Sequence, residues 1–186
     1  MLEDGKESKP VVPAHLGDIM ALTETNTILS GDYSPLERIC LTANGNLQRI
    51  LSSYFNSKVT VGIIKNEKLN QTNLVYDRVV NLNCQGRTLC VAESTITITD
   101  GKIIQLIESK TVGIGQLFRY LNILPEFVLL EAGREPDSFW RVYLLKSPGI
   151  VCKIKEIFPN DLFVSQPSQS LNIDQVNALS PYQAPI

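Results

Sequence analysis

The chain is poor in the residues that most enzymes use to move protons or hold metals. It has one histidine, His15, placed in a leader marked by Lys9-Pro10 and Val12-Pro13. Cysteine–histidine catalysis and a histidine-rich metal centre therefore have little to work with. The four cysteines, Cys40, Cys84, Cys90 and Cys152, are scattered, form no Cys-x-x-Cys pair, and are too sparse for a disulfide scaffold. They read as reduced core or sheet residues. No basic run exists and the net charge is −2, so the electrostatic footprint of a nucleic-acid binder is missing. No apolar run approaches the ~18 residues that a membrane helix needs. The start, Met1-Leu2-Glu3-Asp4-Gly5-Lys6, is acidic where a signal peptide is basic and then apolar. These absences predict a soluble, cytoplasmic protein with no nucleic-acid or membrane partner.

What is present suits one domain with tails, since 186 residues can bury a real core without a second unit. Residues 1–30 read as an extended leader, 31–163 as the domain, and 164–186, rich in Ser, Gln, Asn and Pro, as a flexible tail. Ser34-Pro35-Leu36-Glu37 combines a capping serine, a proline at the first helical position and a glutamate three residues after the cap, which predicts a helix start. Leu36, Ile39, Cys40 and Leu41 form its face. Asn44-Gly45 interrupts it, and Leu47, Ile50, Leu51, Tyr54 and Phe55 resume helical spacing.

Strands are predicted at Lys58–Lys65, Leu74–Cys84 and Arg87–Thr99, the last two joined as a hairpin at Gln85-Gly86. Three more follow at Phe127–Ala132, Phe139–Lys146 and Ile150–Phe158, with turns at Glu135-Pro136-Asp137 and Ser147-Pro148-Gly149. Between the two groups, Lys102–Ser109 and Gln116–Leu121 read as short helices, the second opened by Gly113-Ile114-Gly115. Short turns between successive strands favour antiparallel pairing. The expected fold is α+β: an antiparallel sheet of about six strands with helices packed on it.

Two charges stand on the apolar phase of this pattern. Strand side chains change face at every residue, so Leu74, Tyr76, Arg78, Val80 and Leu82 share one face. Ile150, Cys152, Ile154, Glu156 and Phe158 share another by the same count. Arg78 and Glu156 thus point inward, where a charge needs a partner, water or a charged ligand. They are either a structural ion pair, charges displaced by a bulge, or the cation and acid of a site for a small anion.

Several segments in shared order resemble the chorismate pyruvate-lyase family, in the branch found in cyanobacteria and red-algal plastids. The resemblance runs from Ser34 to Phe163. It comprises Leu41-Thr42-Ala43-Asn44-Gly45-Asn46-Leu47-Gln48-Arg49, the strand arginine Arg78, Thr111-Val112-Gly113-Ile114-Gly115 with Leu117-Phe118, Glu131-Ala132-Gly133-Arg134 with Trp140-Arg141, and Lys155-Glu156-Ile157-Phe158-Pro159. It implies a cofactor-independent, metal-free and monomeric enzyme that splits chorismate into 4-hydroxybenzoate and pyruvate for quinone biosynthesis, in the stroma if the chain is plastid-encoded. It also implies an internal ligand cavity. Arg78 would bind the ring carboxylate with backbone N–H groups at Leu47 and Ile114. Glu156 would be the catalytic acid at the far end of the ring, with the backbone around Ala92 as a further contact. A glutamate in an apolar pocket favours its protonated form, which suits a general acid.

The pattern departs from the family at Ala92-Glu93, where better-known members carry Gly-Arg and so place a cation for a second substrate carboxylate. Arg134 and Arg141 on the neighbouring hairpin are candidates to replace it, with exposed surface arginine the better-supported reading of each. Trp140 reads as core ahead of pocket wall. The rival to the enzyme is a non-catalytic module that binds small aromatic acids, related to the effector domains of bacterial regulators.

Overall fold

Residues 19–20, 25–69, 74–100, 103–104, 117–118 and 122–164 are described by a computed structural model. Two short strands, β1 (Ile19–Met20) and β2 (Thr25–Asn26), pair antiparallel ahead of two helices, α1 (Pro35–Thr42) and α2 (Leu47–Tyr54). Six strands follow: β3 (Thr60–Lys68), β4 (Leu74–Cys84), β5 (Arg87–Ile98), β6 (Glu126–Glu135), β7 (Ser138–Ser147) and β8 (Ile150–Pro159). They form one antiparallel sheet in the order β3-β4-β5-β8-β7-β6. The architecture is α+β, and the six strands of the main sheet and helices α1 and α2 are those the hydrophobic pattern predicts, whereas the β1–β2 pair falls in the stretch read as an extended leader. Two three-stranded meanders meet at β5 and β8, an order that the short turns within each meander do not specify.

Burial alternates along the central strands. On β8, Ile150, Cys152, Ile154, Glu156 and Phe158 are buried while Val151 and Lys153 are exposed. The β4 pattern places Tyr76, Arg78 and Leu82 inside. The β4–β5 register shift falls at Leu82/Asn83, beyond Arg78, and β8 pairs without a shift on either side. No bulge disturbs the phase of either charge. Irregularities lie instead at Ile64 and Leu130, which are exposed, and at Leu89, which is buried.

The buried face carries two apolar clusters. One holds Tyr76, Ile96, Ile98, Leu145, Ile150, Cys152 and Ile154, covered by Ile103, Leu117 and Phe118 of the 99–125 connection. The other holds Leu82, Leu89, Cys90, Phe139 and Phe158, covered by Cys40 and Leu41 of α1 and Leu47 and Leu51 of α2. Ile103–Ile104 and Leu117–Phe118 are helical, and the rest of the two short helices predicted there lies outside the described residues. So do most of the leader and all of the tail past Val164. Leu29 packs against both clusters, so the packed unit starts slightly before residue 31.

α1 begins as its sequence demands. The Ser34 hydroxyl accepts from Glu37 N at 3.3 Å, and Ser34 N donates to Glu37 Oε2 at 2.7 Å. Arg134, exposed as expected, adds an ion pair of 2.8 Å to that carboxylate and so ties the helix start to β6. Trp140 is neither core nor pocket wall. It alternates with the buried Phe139 and Arg141, so it faces the other side of the sheet. There its ring covers Gly133, where an added Cβ would stand 2.5 Å from the ring, and Lys155 Nζ sits 5.1 Å from the ring centre.

The four cysteines are buried and free. Burial pushes the thiols of Cys40 and Cys152 up to about 12 and that of Cys90 well above its ordinary value of 9.0. A thiol whose pKa is raised by folding contributes stability that is complete below the unfolded value and lost as pH rises toward the folded one. Stability is therefore expected to fall between about pH 9 and 12, with each thiol contributing up to about 1.4 kcal/mol per pH unit. Urea midpoints under reducing conditions across that range check this; a flat profile would contradict it.

Candidate functional site

Between the two apolar clusters runs a polar band, set by strand register. Val80, Ala92, Glu156 and Arg141 form one row across β4, β5, β8 and β7. Arg78, Ser94, Ile154 and Tyr143 form the next. Paired residues point to the same side, so all eight share the helix-covered face. Arg78 and Glu156 lie two strand spacings and one pleat apart, roughly 12 Å between backbones.

Helix α2 roofs this band. Gly45, with φ of +71°, and Asn46, with φ of 56°, turn the chain sharply after α1 and aim the start of α2 at the sheet. No side chain caps that end. A helix does not use its own first-turn N–H groups, which include that of Leu47. The pocket between this roof and the sheet has a volume of about 860 Å³. Its floor includes Arg78, Ala92, Ser94, Arg141, Tyr143 and Glu156, and Leu47 lines its roof. Arg49 and Lys58, both exposed, stand at the rim.

Four of the five residues expected at a site thus line one pocket: Arg78, Glu156, Leu47 and Ala92. The fifth, Ile114, lies outside the described residues.

Two expectations are overturned. Arg141 is not a surface residue; it is 0% exposed and its Nε donates to Glu156 Oε2 at 2.7 Å. Its Nη1 donates to the carbonyls of Ala43 at 2.7 Å and Leu41 at 3.2 Å, at the C-terminal end of α1. α1 carries no basic residue in its last turn, and Arg141 supplies that cation from the sheet. Nor is Glu156 in an oily setting. Its Oε1 accepts the Tyr143 hydroxyl at 2.9 Å while Oε2 accepts Arg141, so both oxygens serve as acceptors. Ser94 and Tyr143 are further pocket residues that sequence reading missed.

The electrostatics follow from burial. Burial would push the Arg141 guanidinium down, but the adjoining Glu156 carboxylate outweighs it and holds the group above its ordinary value. Burial, then the Glu156 charge, keep the Tyr143 hydroxyl well above its ordinary value, so it stays a donor. Arg78 shows the opposite balance: burial lowers it, with Cys152 opposing weakly. Desolvation thus penalises the Arg78 cation, and an anion entering the pocket relieves that penalty. Two buried arginines against one buried acid leave the pocket floor at +2 − 1 = +1.

Among the described residues no three metal-type ligands converge. No helix among them is long and apolar enough to cross a membrane. No family model matches the chain, and no curated protein matches it.

Proposed function

We propose that the pocket is a site for a small aromatic acid and that the protein is a chorismate lyase, releasing pyruvate to leave 4-hydroxybenzoate. The carrying observation is that Arg78 and Glu156, both on buried strand phases, line one pocket roofed by the start of α2. Glu156 takes its ion pair from Arg141, which leaves the two ends of the pocket with distinct chemistry. Arginine offers a forked set of donors that matches a carboxylate, and Arg78 is the residue for the ring acid. The first N–H groups of α2, with the positive end of the helix dipole, favour the same negative charge.

The reaction suits so sparse a site. Chorismate holds a cyclohexadiene ring, and loss of the C4 proton with cleavage of the C3–O bond completes the aromatic ring. The electron pair of the C4–H bond becomes the new ring double bond, and the C3–O pair leaves with the enolpyruvyl oxygen. No cofactor is consumed. Glu156 takes the C4 proton while Arg141 and Tyr143 hold its geometry. It then returns that proton to the departing enolpyruvate, which becomes pyruvate. In this reading Glu156 works first as base and then as acid, which adds a base step to the acid role expected from sequence.

Purified protein given chorismate should release 4-hydroxybenzoate and pyruvate in equal amounts above the spontaneous rate. Binding of 4-hydroxybenzoate without turnover would leave a non-catalytic aromatic-acid module, and failure to bind it would remove both. Arg78→Ala should weaken 4-hydroxybenzoate by about tenfold to a hundredfold, the loss of a charged hydrogen-bond pair. Calorimetric titration decides this, and an unchanged affinity would move the carboxylate seat elsewhere.

A further inference from the structure

We propose that the outward face of the sheet is the interface of a two-fold symmetric dimer of this chain. Both apolar clusters, the helices that cover them and the pocket lie on the other face. An antiparallel sheet with one face in water ordinarily carries polar residues there. This face does not follow that pattern. Trp140, Val142 and Leu144 on β7 and Ile157 on β8 are partly buried residues of the outward phase. Val79 on β4 and Val91 on β5 continue the apolar surface across the middle of the sheet. A partner laid on the face removes that surface from water.

The charges identify that partner as a second copy. Register sets Glu131, Val142, Lys155, Glu93, Val79 and Lys65 in one outward row from β6 across to β3. The row reads acid, apolar, base, acid, apolar, base. A two-fold axis along the strands, between β8 and β5, lays a second sheet on the first with the strand order reversed. Lys155 then faces Glu93 of the second copy, Val142 faces its Val79 and Glu131 faces its Lys65, each contact occurring twice. An axis across the strands through this row would set every charge against itself, so complementarity selects one arrangement. Aligned sheets pack with a tilt of about 30°, which displaces the outer strands most. The contact of Lys155 with Glu93 lies half a strand spacing, roughly 2.4 Å, from the axis and keeps its place. Glu93 is exposed and joins no ion pair among the described residues, whereas Lys65 already bridges Asp77 at 2.7 Å, so the inner contact contributes more than the outer one. Six strands roughly 4.8 Å apart, with four outward residues roughly 6.8 Å apart on each, make a face of about 800 Å², the area per partner of a standard interface.

Sedimentation equilibrium of the full chain at up to about 100 μM should show a dimer. Lys155→Glu and Glu93→Lys should each weaken it by at least about tenfold, because each sets like charges together across the axis. An equimolar mixture of the two variants should regain the dimer, since every inner contact of the mixed pair joins an acid to a base. Mixing cannot relieve repulsion inside either protomer, so this rescue reports the contact between copies alone. Val142→Lys leaves both charges in place and should also dissociate the dimer; it serves where a charge variant does not fold, as circular dichroism shows. A chain that stays single, the monomer that the family resemblance implies, overturns the proposal whatever else covers the face. So does a dimer that survives these substitutions, or a mixture of folded charge variants that stays dissociated.

Discussion

Replacing Arg141 by alanine is expected to lower the unfolding free energy by about 3–5 kcal/mol, the usual penalty for breaking a buried ion pair from one side. The change strips Glu156, itself 6% exposed, of its cation. It also leaves the carbonyls of Leu41 and Ala43 without the donor that closes the end of α1. Because those two residues lead into Gly45 and the start of α2, the loss reaches the roof of the pocket as well as its floor. Urea denaturation measures the effect, and a change below about 1 kcal/mol would show that Arg141 does not hold these parts together. The double variant Arg141→Met/Glu156→Gln should regain much of the loss, since a neutral pair of similar volume has no desolvated charge. A double variant as unstable as Arg141→Ala would place the damage at α1 and not at the carboxylate.

Glu156→Gln is expected to cut chorismate turnover by about 10²- to 10⁴-fold, the range for removing a proton-transfer group, with the fold retained. Glutamine keeps the shape and a carbonyl oxygen for Arg141 Nε or for the Tyr143 hydroxyl, but it has no carboxylate to accept the C4 proton. The affinity for 4-hydroxybenzoate should change little, because Arg78, the proposed seat of the ring acid, lies on a different strand. Rates of 4-hydroxybenzoate release, set beside titration of the product, separate the two effects. A rate within tenfold of the natural protein would remove Glu156 from the chemistry.

The inward phase of Arg78 and Glu156 was readable because their neighbours at i±2 on β4 and β8 are apolar, while the opposite phase of each strand carries polar residues such as Asp77, Asn81, Lys153 and Lys155. β7 offers no such contrast. Phe139, Tyr143 and Leu145 share the phase of Arg141, but Trp140, Val142 and Leu144 make the other phase equally apolar, so alternation alone could not choose the buried side. The structure chose it through pairing: Arg141 stands opposite Glu156 across β7 and β8, and Trp140 lies over Gly133 on β6. With the arginine hidden, the surroundings of Glu156 were misread as oily. Tyr143 was missed for the same reason.

Local patterns therefore settled the six strands of the main sheet, helices α1 and α2, the cap of α1, the turn at Asn44-Gly45 and the burial of two charges, because each depends on residues within a few positions of one another. The strand order β3-β4-β5-β8-β7-β6, the polar band between two apolar clusters and the Arg141–Glu156–Tyr143 group were decided only in three dimensions. Those features join strands distant in sequence or pick one of two equal faces, and a burial penalty on charge acts on the assembled sheet, not on any one segment.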